Sequence, residues 1–162
     1  KMPKWGYSII EEKLNPDITA KASGRELKVS HKAAREVAKA IKGMDLAQAK
    51  EYLRDVMAMK KPIPYARFTK KLGHKGGMEK HCVGRYPIKT AERVLRVVKA
   101  AQANAENKGL DVDRLRIIHT AAYPGMKIKR YTPRAHGRAS PKYDTTTHFE
   151  IVLEEKMTQG EQ

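Results

Sequence analysis

Apolar positions recur at helical spacing in the first half of the chain. Residues 30–43 show this period, with Ser30 as a favourable N-cap residue and Gly43 as a stop. A second helix is predicted to begin at Asp45, which forms a capping-box pattern with Gln48, and to end before the Pro-Ile-Pro sequence that follows Lys61. The first half therefore predicts two consecutive helices.

A third and longer helix is predicted to follow Pro87 and to end near Lys108. Three other stretches alternate between apolar and polar residues, as strands do. They are residues 25–30, 115–123 and 147–153. The order of elements predicts an α+β fold, in which a small antiparallel three-stranded sheet packs on three helices and a long β-hairpin projects from it.

The size and composition of the chain bound its class. A length of 162 residues with 40% hydrophobic content predicts a single domain over residues 1–162, in which residues 1–20 form an irregular N-terminal arm. No apolar run approaches the roughly 18 to 20 residues that span a bilayer, so no membrane insertion is expected. A single cysteine, Cys82, fits a reducing compartment and a cytoplasmic location.

The positive charge is concentrated in two segments. Residues 60–86 carry eight basic residues and one acid, and residues 125–143 carry six basic residues and no acid. These 46 residues hold +13 of the net charge of +16, whereas the other 116 residues hold only +3. Such a distribution predicts that two protrusions on an otherwise balanced domain bind phosphates.

The two basic segments are expected to differ in structure. Residues 60–86 lack periodicity and contain several glycines, which predicts a basic loop insertion. Residues 118–148 join two predicted strands and are expected to form an extended basic β-hairpin. The hairpin should project from the core, because its cations cannot be buried without partners. The distal half of an isolated two-stranded ribbon is expected to be mobile until an anion binds it. The alternative is a disordered basic loop without a hairpin.

The candidate residues for binding a nucleic acid are cations of these segments and one tyrosine. Arginine can grip a phosphate through two N–H groups, and a tyrosine ring can stack on an exposed base. Strand alternation predicts that Lys127 and Lys129 face one way and that Ile128 and Arg130 face the other way. The full set is Arg67, Lys70, Lys71, Lys75, Arg85, Lys127, Lys129, Arg130, Tyr131, Arg134, Arg138 and Lys142.

Several of these residues have a purely structural alternative. Lys142 can be a solubilising charge on a strand edge, and Tyr131 can pack against the partner strand. His119 and His148, on the two predicted strands, are expected to be cross-strand neighbours rather than ligands. The arginine cluster is less readily explained in this way, because residues 125–143 contain no acid.

Two other classes of protein compete with this interpretation. Cys82 lies beside His81, but with His74 it fits no standard zinc spacing, and no glycine-rich phosphate loop follows a strand. We therefore expect no enzyme, no metal and no cofactor. An architectural DNA-binding protein with basic β-arms is the alternative function. An architectural DNA-binding function assigns no role to the basic loop of residues 60–86.

Four motifs together resemble one known family. They are SHKAAREVAKAIKG from residue 30, AAQANAENKGLD from residue 100, KIKRYTPRAHGRA from residue 127 and THFEIVLEE from residue 147. In this order they resemble the large-ribosomal-subunit protein twenty-two family, called seventeen in eukaryotes. The resemblance covers roughly residues 20 to 156. The segment GRYPIKTA from residue 84 is similar to the archaeal and eukaryotic branch.

This resemblance implies a structural constituent of the large ribosomal subunit that binds and stabilises its rRNA. It implies a globular body near the opening of the polypeptide exit tunnel and a β-hairpin along the tunnel wall. The implied partners are large-subunit rRNA, neighbouring ribosomal proteins and the nascent polypeptide, with the chain present as a monomer in the ribosome. Ala135, His136 and Gly137 are then the candidates for a hairpin tip that faces the tunnel.

Overall fold

The computed structural model describes residues 6–9, 14–78 and 82–156. Within these ranges the main helices and strands follow the predicted order, with two additional short strands. A 3-10 turn, Val112–Arg114, precedes the fourth strand. The elements are β1 (Thr19–Leu27), α1 (His31–Ile41), α2 (Leu46–Met57), β2 (Ile63–Pro64), β3 (Gly84–Arg85), α3 (Ile88–Asn107), β4 (Leu115–Pro133) and β5 (Ala139–Glu155).

The main sheet has the strand order β1-β5-β4, and both pairings are antiparallel. This confirms the predicted α+β fold with three helices and a long hairpin. The first strand was placed too late by the alternation of residues 25–30. It begins at Thr19, where Ala20 and Ala22 face the helices. Alanine is depleted in strands, so these buried positions gave no strand signal.

The hydrophobic core lies between one face of the sheet and the helices. Helices α1 and α3 pack against the sheet, and α2 packs mainly against α3. From the sheet, Phe149, Ile151 and Leu153 point into this core and are at most 1% exposed. No helix in the described ranges is long and apolar enough to cross a membrane.

The predicted helix boundaries agree with the structure, but the capping interactions do not. Ser30 and Asp45 occupy the N-cap positions of α1 and α2, yet neither side chain caps its helix. Instead, the Asp45 carboxylate pairs with the Lys156 ammonium at 2.6 Å. The capping-box prediction was therefore wrong in its interaction, because a cation beyond the end of β5 binds the same carboxylate.

The outer face of the sheet is partly covered by the described part of the predicted N-terminal arm, whose residues 1–5 and 10–13 lie outside the described ranges. The Ser8 backbone N–H donates to the Glu150 carboxylate at 3.1 Å, and the Ser8 hydroxyl bonds both Glu150 and His119 Nε2. His119 Nε2 also contacts Glu150 at 3.0 Å. This is not a catalytic triad, because one imidazole nitrogen meets both groups and cannot relay a proton between them.

The two histidines of the sheet are not neighbours of each other. His119 lies opposite Val152, and His148 lies opposite Tyr123. Val152 is four positions from His148 along β5, so the two histidines belong to different cross-strand pairs. The prediction of a cross-strand histidine pair was therefore wrong.

Candidate RNA interface

The hairpin is the most extended feature of the molecule. Its strands, β4 and β5, stay paired from Leu115 opposite Glu155 to Pro133 opposite Ala139. From Tyr123 onward most side chains of β4 are exposed. The structure thus shows a long hairpin rather than an unpaired loop, and the hairpin strands continue into the sheet of the body.

The hairpin reverses in a tight turn. The Arg134 N–H donates to the Arg138 carbonyl at 2.8 Å, and the Arg138 N–H donates to the Ala135 carbonyl at 3.3 Å. His136 and Gly137 adopt positive φ angles of 56° and 66°. Glycine adopts such angles readily, so its presence at this position favours the reversal. The three tip candidates are therefore fully outside the core.

The outer part of the hairpin presents cations on both faces. Its ladder is regular from Lys127 to Pro133, so Lys127, Lys129 and Tyr131 lie on one face and Arg130 lies on the other. Tyr131 is opposite Pro141 but remains 64% exposed. Its ring is therefore accessible on the surface.

One acid offsets part of this charge. Asp144, just beyond the acid-free segment, is diagonal to Arg130 and pairs with its guanidinium at 3.1 Å. The two side chains are 64% and 48% exposed. Exposed pairs of this kind contribute at most about 1 kcal/mol, so Arg130 can exchange its partner for a phosphate.

The basic loop is folded against the body. Strands β2 and β3 pair with each other, the Tyr65 N–H donates to the Val83 carbonyl at 3.0 Å, and the Lys75 N–H donates to the Cys82 carbonyl at 2.9 Å. Cys82 itself is exposed. Strands of two residues are too short to give a periodic signal, which is why the sequence predicted only a loop.

A buried carboxylate on α1 holds the start of the basic loop. Glu36 is 1% exposed and accepts hydrogen bonds from the backbone N–H groups of Ala66 at 3.0 Å, Arg67 at 3.1 Å and Phe68 at 3.4 Å. Sequence reasoning missed this residue, because Glu36 adjoins the apolar stripe of α1 and resembles a solvated glutamate. It fixes the backbone that carries Arg67.

Aromatic rings organise several cations of this region. Three of them approach the Phe68 ring, with Lys32 at 5.7 Å, Arg67 at 5.8 Å and Arg35 at 5.9 Å from its centroid. Lys75 lies 5.6 Å from the centroid of the Tyr86 ring. Such contacts are weakly attractive and fix the direction of the side chains.

The loop and the start of α1 enclose a cleft of about 680 Å³, here named the loop cleft. It brings together three predicted rRNA-binding residues, whereas Lys71 and Lys75 lie outside its lining. No acidic residue lines this cleft in the described part of the chain. The residues that matter for its chemistry are Ser30, Lys32, Tyr65, Arg67, Phe68, Thr69, Lys70, Arg85 and Tyr86.

A second cleft of about 520 Å³, the hairpin cleft, joins the body to the hairpin. Ser30 and Lys32 line both clefts, which makes the basic surface continuous from the loop to the hairpin. Among the described residues lining the two clefts, the one acid is Asp144. The six Lys and Arg residues of the joint lining are Lys28, Lys32, Arg67, Lys70, Arg85 and Arg130.

Sequence reasoning missed the connection between the two basic segments. Lys28, just before α1, and His31 and Lys32, at its start, lie outside both charge-rich segments and line the hairpin cleft. A signal was present, because no acid occurs between Lys28 and Arg35. The balanced charge of the surrounding chain masked it.

All the predicted site residues are exposed, as residues that meet a partner must be. Their contacts with RNA or with a nascent chain stay a prediction. The basic loop carries Arg67, Lys70, Lys71, Lys75 and Arg85, and the hairpin carries Lys127, Lys129, Arg130, Tyr131, Arg134, Ala135, His136, Gly137, Arg138 and Lys142.

Comparison with known proteins identifies the family of this chain. The sequence model described as ribosomal protein L22p/L17e matches residues 22–154. The chain is 46% identical over 157 residues to the large ribosomal subunit protein uL22 of Ignicoccus hospitalis, covering 95% of this chain and 99% of that protein. It is 48% identical over 159 residues to the uL22 protein of Methanopyrus kandleri, covering 96% and 100%.

A third archaeal relative, the uL22 protein of Methanocaldococcus jannaschii, is 46% identical over 154 residues, covering 95% of this chain and 97% of that protein. The matches extend over almost the whole chain, including the basic loop and the hairpin. They confirm the resemblance that the four sequence motifs indicated. The chain belongs to the ribosomal protein L22p/L17e family, in its archaeal type.

Proposed function

We propose that this chain binds and stabilises folded large-subunit rRNA through the continuous basic surface that runs from the loop cleft to the hairpin tip. Its family makes it a structural constituent of the large ribosomal subunit, located with the ribosome in the cytoplasm, rather than a known enzyme. One observation carries the proposal. The two clefts share Ser30 and Lys32, and their joint lining has six Lys or Arg residues against the single acid Asp144.

The shape of the molecule suits a folded RNA better than an isolated duplex. Folded rRNA brings phosphates of separate helices close together, and a two-stranded ribbon is thin enough to enter between them. Because Lys129 and Arg130 project from opposite faces, the ribbon can neutralise two RNA strands at once. Arg134 and Arg138 add planar groups near the tip that can bind phosphates through two hydrogen bonds.

The family resemblance extends the proposal to the exit tunnel. We place the globular body near the tunnel opening and the hairpin along the tunnel wall, with Ala135, His136 and Gly137 toward the nascent polypeptide. The chain acts there as a monomer among neighbouring ribosomal proteins. The exposed turn at the end of the hairpin supports this arrangement, because it can reach a surface that the body does not touch.

Salt dependence tests the proposed rRNA binding. If about eight phosphates are neutralised, the logarithm of the affinity for a folded rRNA fragment should fall against the logarithm of salt concentration with a slope of roughly −6 to −7. The double variant Arg134→Gln/Arg138→Gln should make this slope shallower by about 1 to 2. A slope near −1 in the unmodified protein would contradict the proposal. Displacement of the rRNA by duplex DNA at equal salt would support the DNA-binding alternative instead.

Crosslinking tests the proposed position of the tip. A photoreactive amino acid in place of His136 should label nascent chains in translating ribosomes. The same group in place of Glu92, an exposed residue of α3, should not label them. Labelling of rRNA alone from position 136 would show that the tip is buried in RNA and would reject its contact with the nascent chain.

A further inference from the structure

The backbone around the loop cleft is fixed before any ligand binds. Glu36 holds three successive N–H groups of residues 66–68, and the Tyr65 N–H is bonded to the Val83 carbonyl. The aromatic and basic side chains of the cleft therefore stand on a rigid frame. A preorganised site binds its ligand without first losing the entropy of a flexible loop.

The positive charge of the loop cleft is not offset by an acidic side chain among the described residues of its lining. Lys32, Arg35 and Arg67 all lie within 6 Å of the centroid of one ring, that of Phe68. The Glu36 carboxylate is buried and uses its oxygens on backbone amides, and its distance to the Arg35 guanidinium is 3.9 Å. A ligand with negative charge would offset these cations.

The size and the walls of the cleft narrow the class of that ligand. Its volume of about 680 Å³ lies in the usual range of small-molecule sites. A lone phosphate would offset the charge but would make no use of the half-buried Phe68 ring, which lies among the cations in the wall of the cleft. An RNA duplex keeps its bases stacked inside, whereas an unpaired nucleotide offers both an aromatic base and a charged backbone.

We infer that the loop cleft binds a single unpaired nucleotide of an RNA strand. The base stacks on the wall formed by Phe68 and the Arg67 guanidinium, and the adjoining phosphates pair with Lys70 and Arg85. Proteins recognise unstacked bases by stacking them on aromatic rings or on arginine planes. This inference rests on the proposed function, since it names one subsite of the same RNA surface.

The test compares two RNA oligomers that differ only in their bases. Binding of the full chain to hexaadenylate is measured beside binding to an abasic RNA of the same length and charge. Phe68→Leu, which keeps an apolar side chain but removes the ring, should weaken hexaadenylate binding roughly tenfold. It should leave the abasic oligomer unaffected. Arg67→Lys, which keeps the charge but removes the plane, should act in the same direction.

Lys71→Gln is the matched control. Lys71 is an exposed cation of the same loop but does not line the cleft, so its loss should weaken both oligomers equally. Thermal unfolding of each variant checks its fold. If Phe68→Leu unfolds, Arg67→Lys carries the test, since an exposed side chain is changed and its charge is kept.

Three outcomes would overturn the inference. The first is that the two oligomers bind equally well to the unmodified protein. The second is that Phe68→Leu and Arg67→Lys weaken both oligomers alike, and the third is that polyglutamate displaces hexaadenylate at equal charge. The last result would assign the cleft to an acidic peptide. Each of these leaves the proposed function intact when the folded rRNA fragment still binds with a steep salt dependence. Failure of that binding would instead reject the proposed function itself.

Discussion

Arg130 and Lys142 face each other across the hairpin as Cα partners in the ladder between β4 and β5. Like charges directly opposite each other destabilise a strand pair. Asp144 relieves only the arginine, at 3.1 Å, and does so from an exposed position. The outer hairpin therefore holds a repulsion that a polyanion lying against the face with Arg130 and Lys142 would reduce.

We expect this part of the hairpin to be dynamic in the free protein. An isolated two-stranded ribbon is marginally stable in water, and the opposed cations weaken it further. Amide hydrogen exchange should show weak protection of residues 128–142 in the free chain and strong protection after a folded rRNA fragment is added. Strong protection without any ligand would contradict this expectation.

Reversing the charge of Lys142, the partner of Arg130, should have opposite effects on the stability of the hairpin and on rRNA binding. Lys142→Glu converts the like pair into an attractive pair, so amide protection of the free hairpin should increase at low salt and lose this gain at high salt. The same change should weaken rRNA binding. Lys99→Glu, on the exposed side of α3, is the control and should leave exchange in the hairpin unchanged. If both variants protect the hairpin equally, the local repulsion is not the cause.

The buried carboxylate of Glu36 should contribute strongly to stability. Glu36→Gln leaves one side-chain oxygen for the backbone N–H groups of residues 66–68 and turns an N–H₂ group toward the others. Unsatisfied buried donors should lower the free energy of unfolding by about 1 to 3 kcal/mol in urea titrations.

Glu92→Gln provides the comparison for that measurement. Glu92 pairs with Arg96 at 2.6 Å on the exposed side of α3, with side chains 47% and 63% exposed. Its replacement should change the free energy of unfolding by only a few tenths of a kcal/mol. Equal effects of the two variants would show that the bonds to the loop backbone add nothing beyond a surface ion pair.

The fold was predictable where local signals and packing agree. Val94, Leu95 and Val98 follow the helical period of α3, and Phe149, Ile151 and Leu153 alternate along β5, so both elements were assigned correctly. The first strand was misplaced because Ala20 and Ala22 are small where the sheet meets the helices. The need for small side chains there comes from the packing of the helices on the sheet, and it produces no alternating apolar pattern in the sequence.

The candidate interface was predictable in its charges but not in its construction. The cations of the loop and the hairpin stand out because few acids surround them. Glu36 contacts residues 30 positions away, and Lys32 joins the two clefts through the packing of α1 against the loop and the hairpin. Such links depend on contacts between distant segments, so single residues in the sequence do not reveal them.

Alkaline pH should destabilise the protein partly through Tyr65. Burial raises the pKa of the Tyr65 phenol, with a smaller opposing effect of Arg85 and a further increase from Glu36. The unfolded chain loses this proton near pH 10, whereas the folded chain holds it to higher pH. The free energy of unfolding should therefore fall as the pH rises above about 10.

The Tyr65→Phe variant tests this contribution. Its free energy of unfolding should fall less steeply between pH 9 and pH 11 than that of the unmodified protein, as measured by urea unfolding at each pH. The difference in the free energy of unfolding between the two proteins at pH 9 measures the effect of removing the hydroxyl. Only the way this difference changes with pH measures the effect of ionisation. Parallel curves for the two proteins would rule out Tyr65 as a source of the alkaline loss.

Gly125 should be essential for the direction in which the hairpin leaves the body. It lies in the irregular stretch of β4 between Pro124 and Lys127, where a Cβ atom would stand 2.5 Å from Thr146 Oγ1 and 2.9 Å from His148 Nε2. Gly125→Ala must displace both of these groups, and Thr146 is held by its hydrogen bond to the Met126 carbonyl at 3.2 Å.

We expect Gly125→Ala to lower the free energy of unfolding by about 1 to 3 kcal/mol, the usual cost of overpacking. The irregular stretch between Pro124 and Lys127 is a β-bulge, and a change in its geometry redirects the whole outer hairpin. rRNA binding, measured at a temperature where the variant is fully folded, should therefore also weaken. Gly73→Ala, in the basic loop, meets no atom within 4 Å and should leave stability unchanged or slightly improved. If Gly125→Ala lowers stability but rRNA binding stays at the level of the unmodified protein, the bulge contributes to packing without directing the hairpin.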